Sequence, residues 1–171
     1  YTTSGSQNTA VGYLSLYKNT VSDNTAVGAY TLACNTTGTY NTAVGYASQN
    51  YTNTGGGNTS LGRQALYLNN DGGAHNVAIG TFAMLDNTSG SCNVAVGTCA
   101  LCDNTTGGNN VAVGWRSLYN NTTAGSNVAM GREALVSNTT GAQNVAVGHT
   151  SLYTNITGDN NVGIGTCALY T

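Results

Sequence analysis

Asn8-Thr9-Ala10-Val11-Gly12 is the first copy of a five-residue phrase that occurs ten times in this chain of 171 residues. Successive phrase glycines are 16, 17, 17 and 18 residues apart and then 17 residues apart five times. They are Gly12, Gly28, Gly45, Gly62, Gly80, Gly97, Gly114, Gly131, Gly148 and Gly165. Repetition at a fixed period of this length is typical of solenoids and repeat arrays. We therefore predict that residues 1–171 form a single repeat domain of ten coils.

The phrase itself has the pattern of a short strand. Counting from the phrase glycine as position 0, position −1 is always apolar and position −2 is almost always Ala. Position −3 is Thr in the first four copies and Val in the last six. This alternation predicts a strand in which −3 and −1 share one face and −2 points the other way. Glycine at position 0 in all ten copies indicates a backbone conformation or close approach that a Cβ atom would obstruct.

The second half of each repeat carries turn residues. Position +3 is small, position +4 is Leu in eight copies, and Asn-Thr-Thr-Gly or a variant begins at position +7. Asn and Gly tolerate left-handed backbone angles, so these residues predict turns. Stacked coils about 4.8 Å apart would bury apolar residues that one coil cannot bury alone. The predicted fold is all-β, a parallel β-solenoid of ten 17-residue coils with two short strands each.

Position +7 predicts a ladder of stacked Asn side chains, each hydrogen-bonded to its copies above and below. The Asn residues at this position are Asn19, Asn35, Asn69, Asn87, Asn104, Asn121, Asn138 and Asn155.

Two arrangements remain open for the small residues. In one, positions −3, −1 and +4 point inward, and the Ala stripe faces outward for close approach of another chain. In the other, the coil is so flat that only Ala fits inside. Either arrangement leaves apolar stripes outside, which favours burial against partner chains.

The composition limits the classes of partner. Only 6% of residues are charged and the formal net charge is −2, whereas about a quarter of residues are charged in a usual soluble domain. Lys18, Arg63, Arg116 and Arg132 do not form the clustered basic surface that nucleic acid requires. No apolar run approaches the ~20 residues of a membrane helix. We expect no nucleic-acid partner and no membrane insertion. Weak charge repulsion instead favours association of the chain with itself.

The ends of the chain resemble its middle. The first and last copies carry no divergent, polar cap, which a monomeric solenoid is expected to have. Tyr1 and Thr171 fall at the same repeat position, so end-to-end stacking of copies is expected in addition to lateral packing. The chain begins in mid-repeat without Met, which is typical of a processed protein or of a segment of a longer one.

No group of residues has a spacing that indicates catalysis, a metal or a cofactor. The acidic residues are spread over different repeats and are Asp23, Asp71, Asp86, Asp103, Glu133 and Asp159. None is paired with another at general acid/base spacing. His75 and His149 occupy different repeat positions four coils apart. We therefore predict that the chain is not an enzyme and has no cofactor.

The five cysteines leave at least one thiol free or paired between chains, because their number is odd. They are Cys34, Cys92, Cys99, Cys102 and Cys167. One interpretation is that they are small residues in variable positions. The other is an interchain disulfide in an oxidising compartment.

Sequons for N-glycosylation recur at position +7. The candidate residues are Asn35, Asn87, Asn104, Asn121, Asn138 and Asn155. An Asn in an inward ladder cannot also carry a glycan, so the two interpretations exclude each other, and the turn or ladder is favoured. Tyr recurs at position +5, which predicts either stacking between coils or a carbohydrate-binding or interchain strip.

The segments Asn41–Gly45, Asn93–Gly97, Ala134–Gly141 and Asn144–Gly148 carry a family resemblance. They resemble the repeats of trimeric autotransporter adhesin heads and the tail-fibre-type Asn-Thr-Ala-Val-Gly arrays of surface proteins. The resemblance covers essentially the whole chain. It implies a left-handed β-roll, usually with three chains side by side, on an extracellular surface or a virion. The present repeat is longer than the usual adhesin-head unit.

Together these features predict a secreted structural protein that self-assembles into a fibre or filament on a cell surface, in a matrix or on a virion. An alternative is a trimeric adhesin head that binds host or matrix glycans or proteins. Ice binding is a minor alternative, because Thr occupies position −3 in only four repeats.

Overall fold

The computed structural model describes residues 5–170, so the shared repeat position of Tyr1 and Thr171 lies outside the described residues. The described residues form one ten-stranded parallel sheet in which each strand pairs with the next along the chain. The strands are β1 Thr9–Val11, β2 Thr25–Val27, β3 Thr42–Val44, β4 Thr59–Leu61, β5 Val77–Ile79, β6 Val94–Val96, β7 Val111–Val113, β8 Val128–Met130, β9 Val145–Val147 and β10 Val162–Ile164. Equivalent residues pair in register, as Ala95 does with Ala112. The predicted parallel β-solenoid is confirmed; we number its coils 1 to 10 after their phrase glycines.

Each coil contains one strand, and the prediction of a second strand was wrong. In coil 5, Phe82 and Met84 at positions +2 and +4 have φ angles of 59° and 52°, which lie in the left-handed region and not in an extended strand. The segment is still bonded to its neighbours, because Phe82 N donates to Arg63 O and Met84 N donates to Ala100 O, both at 3.0 Å. This side of the solenoid is therefore a stack of turns joined by hydrogen bonds between coils.

Ala at position −2 points into the coil, and the residues at −3 and −1 point outward. Ala78, Ala95 and Ala112 are fully buried, while their strand neighbours remain partly accessible. Of the two arrangements that the sequence left open, the flat coil in which only Ala fits inside is the one observed on the strand side. Positions −3 and −1 do not fill the core, whereas Leu at position +4, such as Leu101, does. The two sides of a coil approach so closely that Ala on the strand side and Ala100 and Leu101 on the turn side fill the space.

The Asn ladder predicted at position +7 is confirmed. Asn104 Nδ2 donates to Asn87 Oδ1 at 2.7 Å, and Asn121 Nδ2 donates to Asn104 Oδ1 at 2.9 Å. A second ladder, which we did not predict, is formed by the Asn that opens each phrase, at position −4. In it, Asn110 N donates to Asn93 Oδ1 and Asn110 Nδ2 donates to Ala124 O, both at 2.9 Å. Both ladders are buried except at their ends, where Asn8, Asn155 and Asn161 are half-buried, so their buried members satisfy backbone groups in the turns without water.

The phrase glycines occupy positions where no other residue fits well. Their φ angles range from 118° at Gly165 to 141° at Gly62. A Cβ atom on Gly97 would lie 2.6 Å from Gly114 O of the next coil. The invariance of this residue therefore has both a conformational and a steric cause. Within residues 5–170, no helix is long and apolar enough to cross a membrane.

Candidate functional site

Two rows of outward side chains run along the sheet, and we call the surface that they form the valine face. The row at position −1 consists of Val11, Val27, Val44, Leu61, Ile79, Val96, Val113, Met130, Val147 and Ile164. The row at position −3 consists of Thr9, Thr25, Thr42, Thr59, Val77, Val94, Val111, Val128, Val145 and Val162. Because the strands pair in register, like side chains recur about every 4.8 Å over a length of about 43 Å.

The valine face is open to solvent and uncharged. Leu61, Met130 and Ile164 are 49%, 43% and 70% exposed. Other members of the −1 row, such as Val96 and Val113, are half-buried, because neighbours in a row spaced at about 4.8 Å cover one another. A continuous exposed apolar surface of this kind marks an interaction site in most soluble proteins.

The character of the valine face changes along the solenoid. In coils 1 to 4 the −3 row is Thr, and Thr9, Thr42 and Thr59 are exposed; from coil 5 onward this row is Val. The Thr surface is therefore four coils long and lies beside an apolar −1 row. Ice binding by this surface stays a prediction.

Aromatic side chains stack between neighbouring coils, as predicted from the recurrence of Tyr. Tyr153 and Tyr170, both at position +5, have ring centroids 5.0 Å apart and planes inclined by 15°. The indole ring of Trp115 lies near the guanidinium groups of Arg116 and Arg132, at 5.3 Å and 5.0 Å from its centroid. The Tyr153–Tyr170 and Trp115–Arg132 contacts link neighbouring coils, and the Trp115–Arg116 contact lies within one coil.

The stacking register brings two acidic residues near each other that the sequence places in separate repeats. Asp86 and Asp103 both occupy position +6, in coils 5 and 6. Burial raises the pKa of each carboxyl above its ordinary value, and the charge of Asp86 raises the pKa of Asp103 further. Residues 5–170 contain no group of three His, Cys, Asp or Glu side chains placed to hold a metal ion.

Glu133 forms ion pairs with two arginines, and the two histidines lie at the surface. Glu133 Oε1 is 3.7 Å from Arg116 Nη1, and Glu133 Oε2 is 3.4 Å from Arg132 Nε. His75 and His149 are both exposed and in different coils. The Arg116–Glu133 contact joins coils 7 and 8, whereas Arg132 and Glu133 are neighbours within coil 8, and these residues do not form a convergent pocket.

The five cysteines are free thiols in this single chain. Cys92 and Cys167 are exposed, Cys34 and Cys99 are half-buried, and Cys102 is buried. Burial and the neighbouring Asp103 raise the pKa of Cys102 to about 12. An interchain disulfide stays a prediction, for which Cys92 and Cys167 are the most accessible residues.

The candidate glycosylation sites lie on the +7 ladder. Asn35, Asn87, Asn104, Asn121 and Asn138 are fully buried, and Asn155 is half-buried. Each donates its side-chain amide to the ladder residue before it, as in Asn155 Nδ2 to Asn138 Oδ1 at 3.1 Å. A glycan on these amides requires the ladder to open, so this geometry favours the structural role of the sequon Asn.

Comparison of the chain with known protein families, with curated proteins and with solved structures gave no match. The resemblance to adhesin-head and tail-fibre-type repeats therefore stays a prediction from the phrase. The chain's own architecture, a β-solenoid with an open apolar sheet face, is the basis for the function proposed below.

Proposed function

We propose that this chain is a structural repeat protein that self-associates through the valine face into a fibre or filament. The observation that carries the proposal is the pair of uncharged rows that stay accessible along all ten coils. A sheet composed only of parallel strands normally has both faces covered. Here the turn side of each coil covers the inner face, and no residue in the range 5–170 covers the outer face.

A second copy is the partner that this surface fits best. The valine face repeats in register and is free of charge, so the same surface of another copy matches it in spacing and in chemistry. Apolar sheet faces pack about 10 Å apart through interdigitated side chains. A chain with 6% charged residues also has little electrostatic repulsion between copies. Three-chain packing, end-to-end stacking and an extracellular or virion location are further parts of the proposal, and the family resemblance and the equal repeats support them.

Sedimentation velocity on matched charge variants tests the proposal. Val96→Lys with Val113→Lys places two charges on the valine face of coils 6 and 7. Thr106→Lys with Thr123→Lys places the same charges on exposed turn positions of the same coils. We expect the wild type and the turn variant to sediment as oligomers or filaments, and the face variant to sediment as a monomer. Circular dichroism should show that the face variant is still folded. A monomeric wild type, or a face variant that associates as the wild type does, would overturn the proposal.

A second candidate is a head that binds glycans or matrix proteins, and exposed aromatic side chains favour it. Tyr13, Tyr40, Tyr46 and Trp115 are 66%, 70%, 52% and 42% exposed. Aromatic rings provide stacking surfaces at interfaces with sugars and proteins. A glycan and matrix-protein array tests this candidate: a hit that is lost in Trp115→Ala or Tyr46→Ala supports it, and an array without a hit contradicts it.

A further inference from the structure

The hydrophobic core of the solenoid is interrupted at coil 3. One buried cluster consists of Leu16, Ala26, Leu32 and Ala43, and a second begins at Ala65 and Leu66 in coil 4 and ends at Leu152. Between them, Gln49 stands at position +4, where other coils have Leu or Met. Ser60 stands at position −2, where most coils have Ala.

These substitutions create a polar layer whose hydrogen bonds are incomplete. Gln49 Nε2 donates to Ser60 Oγ at 2.9 Å, and Ser60 Oγ also bonds Ser48 Oγ at 2.5 Å. Gln49 Oε1 is buried without a hydrogen-bond partner in the described structure. A buried polar layer that is only partly satisfied holds two coils together less well than an apolar layer does.

The +7 Asn ladder is interrupted in the same coil. Thr52 replaces Asn, and its hydroxyl is buried without a partner among the described residues. Asn69, the next residue of the ladder, donates its amide to Gly73 O at 2.6 Å within its own turn. In intact parts of the ladder the amide bonds both its own turn and the preceding ladder residue, as Asn104 does with Gly107 and Asn87.

Among the described residues, the turns of coils 3 and 4 also lack the backbone hydrogen bond that joins the turns of coils 2 and 3 and those of coils 5 to 9. Thr105 N donates to Thr122 O at 2.9 Å, and Thr36 N donates to Asn53 O at 3.1 Å. Within residues 5–170, no backbone hydrogen bond joins residues 53–54 to residues 70–73. The turn at residues 70–74 holds the extra residue of the 18-residue repeat, which changes the local register.

Strand pairing and the second ladder continue across this junction. β3 and β4 pair in register, and Asn58 N donates to Asn41 Oδ1 at 3.0 Å. The junction is thus continuous in fold, and three of its couplings are weaker: the core layer, the +7 ladder and the turn bond. In a solenoid, stability is approximately a sum of coil terms and nearest-neighbour interface terms, so one weak interface can separate two units.

We propose that the junction between coils 3 and 4 is a built-in boundary between two cooperative units, coils 1–3 and coils 4–10. Coils 1–3 open first under heat or force, because two interfaces between coils stabilise them and six stabilise coils 4–10. This inference is independent of the proposed function, because it concerns a single chain.

Native-state hydrogen exchange on single chains tests the boundary. The unchanged chain is used where it sediments as a monomer, and Val96→Lys with Val113→Lys is used where it does not. Fraying from the ends of the solenoid gives amide protection that rises gradually from coil to coil. Coils 8–9, near the end without a proposed boundary, show how steep such a gradual rise is. The boundary instead gives a step, in which amides up to Gln49 exchange at least about tenfold faster than the amides from Leu66 to Leu118 in coils 4 to 7. Uniform or gradual protection across the junction would overturn the proposal.

Two variants in the same background locate the cause. Gln49→Leu with Thr52→Asn and Ser60→Ala restores the common residues of the repeat, and we expect the step to disappear. Leu101→Gln with Asn104→Thr and Ala112→Ser transfers the interruption to coils 6 and 7, where we expect a new step between Leu101 and Leu118. A repaired chain that keeps the step at coil 3 would contradict the inference. If the transferred variant does not fold, the inference is tested by the other comparison alone: the step must be present in the unrepaired chain and absent from the repaired one.

Discussion

At the residue scale, the phrase glycine sets the distance between coils. Its φ angle lies in a region that L side chains rarely adopt, and its Cα faces the carbonyl of the next phrase glycine. Gly97 meets Gly114 O in this way, whereas a Cβ atom added to Gly165 would have no other atom within 4 Å. A comparison of Gly97 with Gly165 therefore separates the effect of backbone conformation on stability from the effect of a steric contact with the next coil.

Gly97→Ala is expected to destabilise the chain much more than Gly165→Ala does. Both changes introduce backbone strain of about 1–3 kcal/mol. Only Gly97→Ala also forces a methyl group against backbone of the next coil, so a loss above about 4 kcal/mol is expected. Urea unfolding followed by circular dichroism measures both. Equal losses of unfolding free energy in the two variants would show that the contact with the next coil does not contribute to the requirement for glycine.

The sequon Asn residues provide a second prediction at this scale. Asn104→Ala removes a buried amide that bonds Asn87, Gly107 and Asn121, which is expected to cost about 1–3 kcal/mol for each group left without a partner. Thr106→Ala destroys the same sequon at an exposed position and leaves the ladder intact. We expect near wild-type stability for Thr106→Ala in thermal unfolding. Equal losses in the two variants, with a mass shift from a glycan in the wild type, would contradict the ladder role.

Cys102 is expected to resist alkylation and to make stability depend on pH in the alkaline range. Its pKa is raised from 9.0 to about 12 by burial first and by Asp103 next. Below pH 9 the thiol is protonated in both states; between pH 9 and 12 it ionises only on unfolding, so stability falls as pH rises. Iodoacetamide mass spectrometry at about pH 8 should label Cys92 and Cys167 long before Cys102. Cys102→Ala should lose less stability than the wild type between about pH 9 and 11; an equal loss would contradict the assignment.

At the scale of the element, each strand has a small inner residue and two larger outer ones. Ala112 is fully buried between the strand and the turn side of the coil, while Val113 beside it belongs to the valine face. The thickness of the coil is therefore set by an Ala methyl group, and the outer residues are free to vary in size, as Leu61 and Met130 do.

Ala112→Leu is expected to destabilise the solenoid more than Val113→Thr does. The larger side chain has no space inside the flat coil, and overpacking of this kind costs about 1–3 kcal/mol or more. Val113→Thr changes an outward side chain and should stay within about 0.5 kcal/mol. Urea unfolding of dilute protein measures both. The reverse order would show that Val, not Ala, faces the interior.

The strand could be predicted from the sequence, and the direction of its side chains could not. Equal spacing of Ala95 and Ala112 is sufficient to predict in-register stacking, because a parallel pairing keeps the repeat period. Alternation shows that Val94 and Val96 share a face, but it does not show which face is inside. The backbone of Met84 could not be predicted either, since hydrogen bonds between coils, and not local propensity, stabilise its left-handed angle.

The existence of the candidate site could be predicted from the sequence, and the residues that form it could not. An apolar stripe outside the coil was expected in either arrangement, but its residues became known only from the buried position of Ala. The proximity of Asp86 and Asp103 could have been found from their 17-residue separation, because equal repeat positions stack. The second Asn ladder could have been found in the same way, from the Asn that opens all ten phrases.

At the scale of the whole molecule, the solenoid satisfies most of its buried polar groups internally and leaves an apolar sheet face uncovered. The two Asn ladders bond the turns, and the core needs only small side chains on the strand side. The surface carries few charges that would keep copies apart. A regular, uncharged face on a solenoid is suited to lateral association of identical copies.

Cryo-electron microscopy of the purified chain tests this central claim most directly. We expect assemblies in which the valine faces of neighbouring copies contact each other, with Val96 and Val113 buried between chains. Coils stacked end to end would extend the same assembly into a filament. Dispersed single solenoids whose valine faces remain in solvent, or assemblies that bury another surface and leave this face open, would contradict the claim.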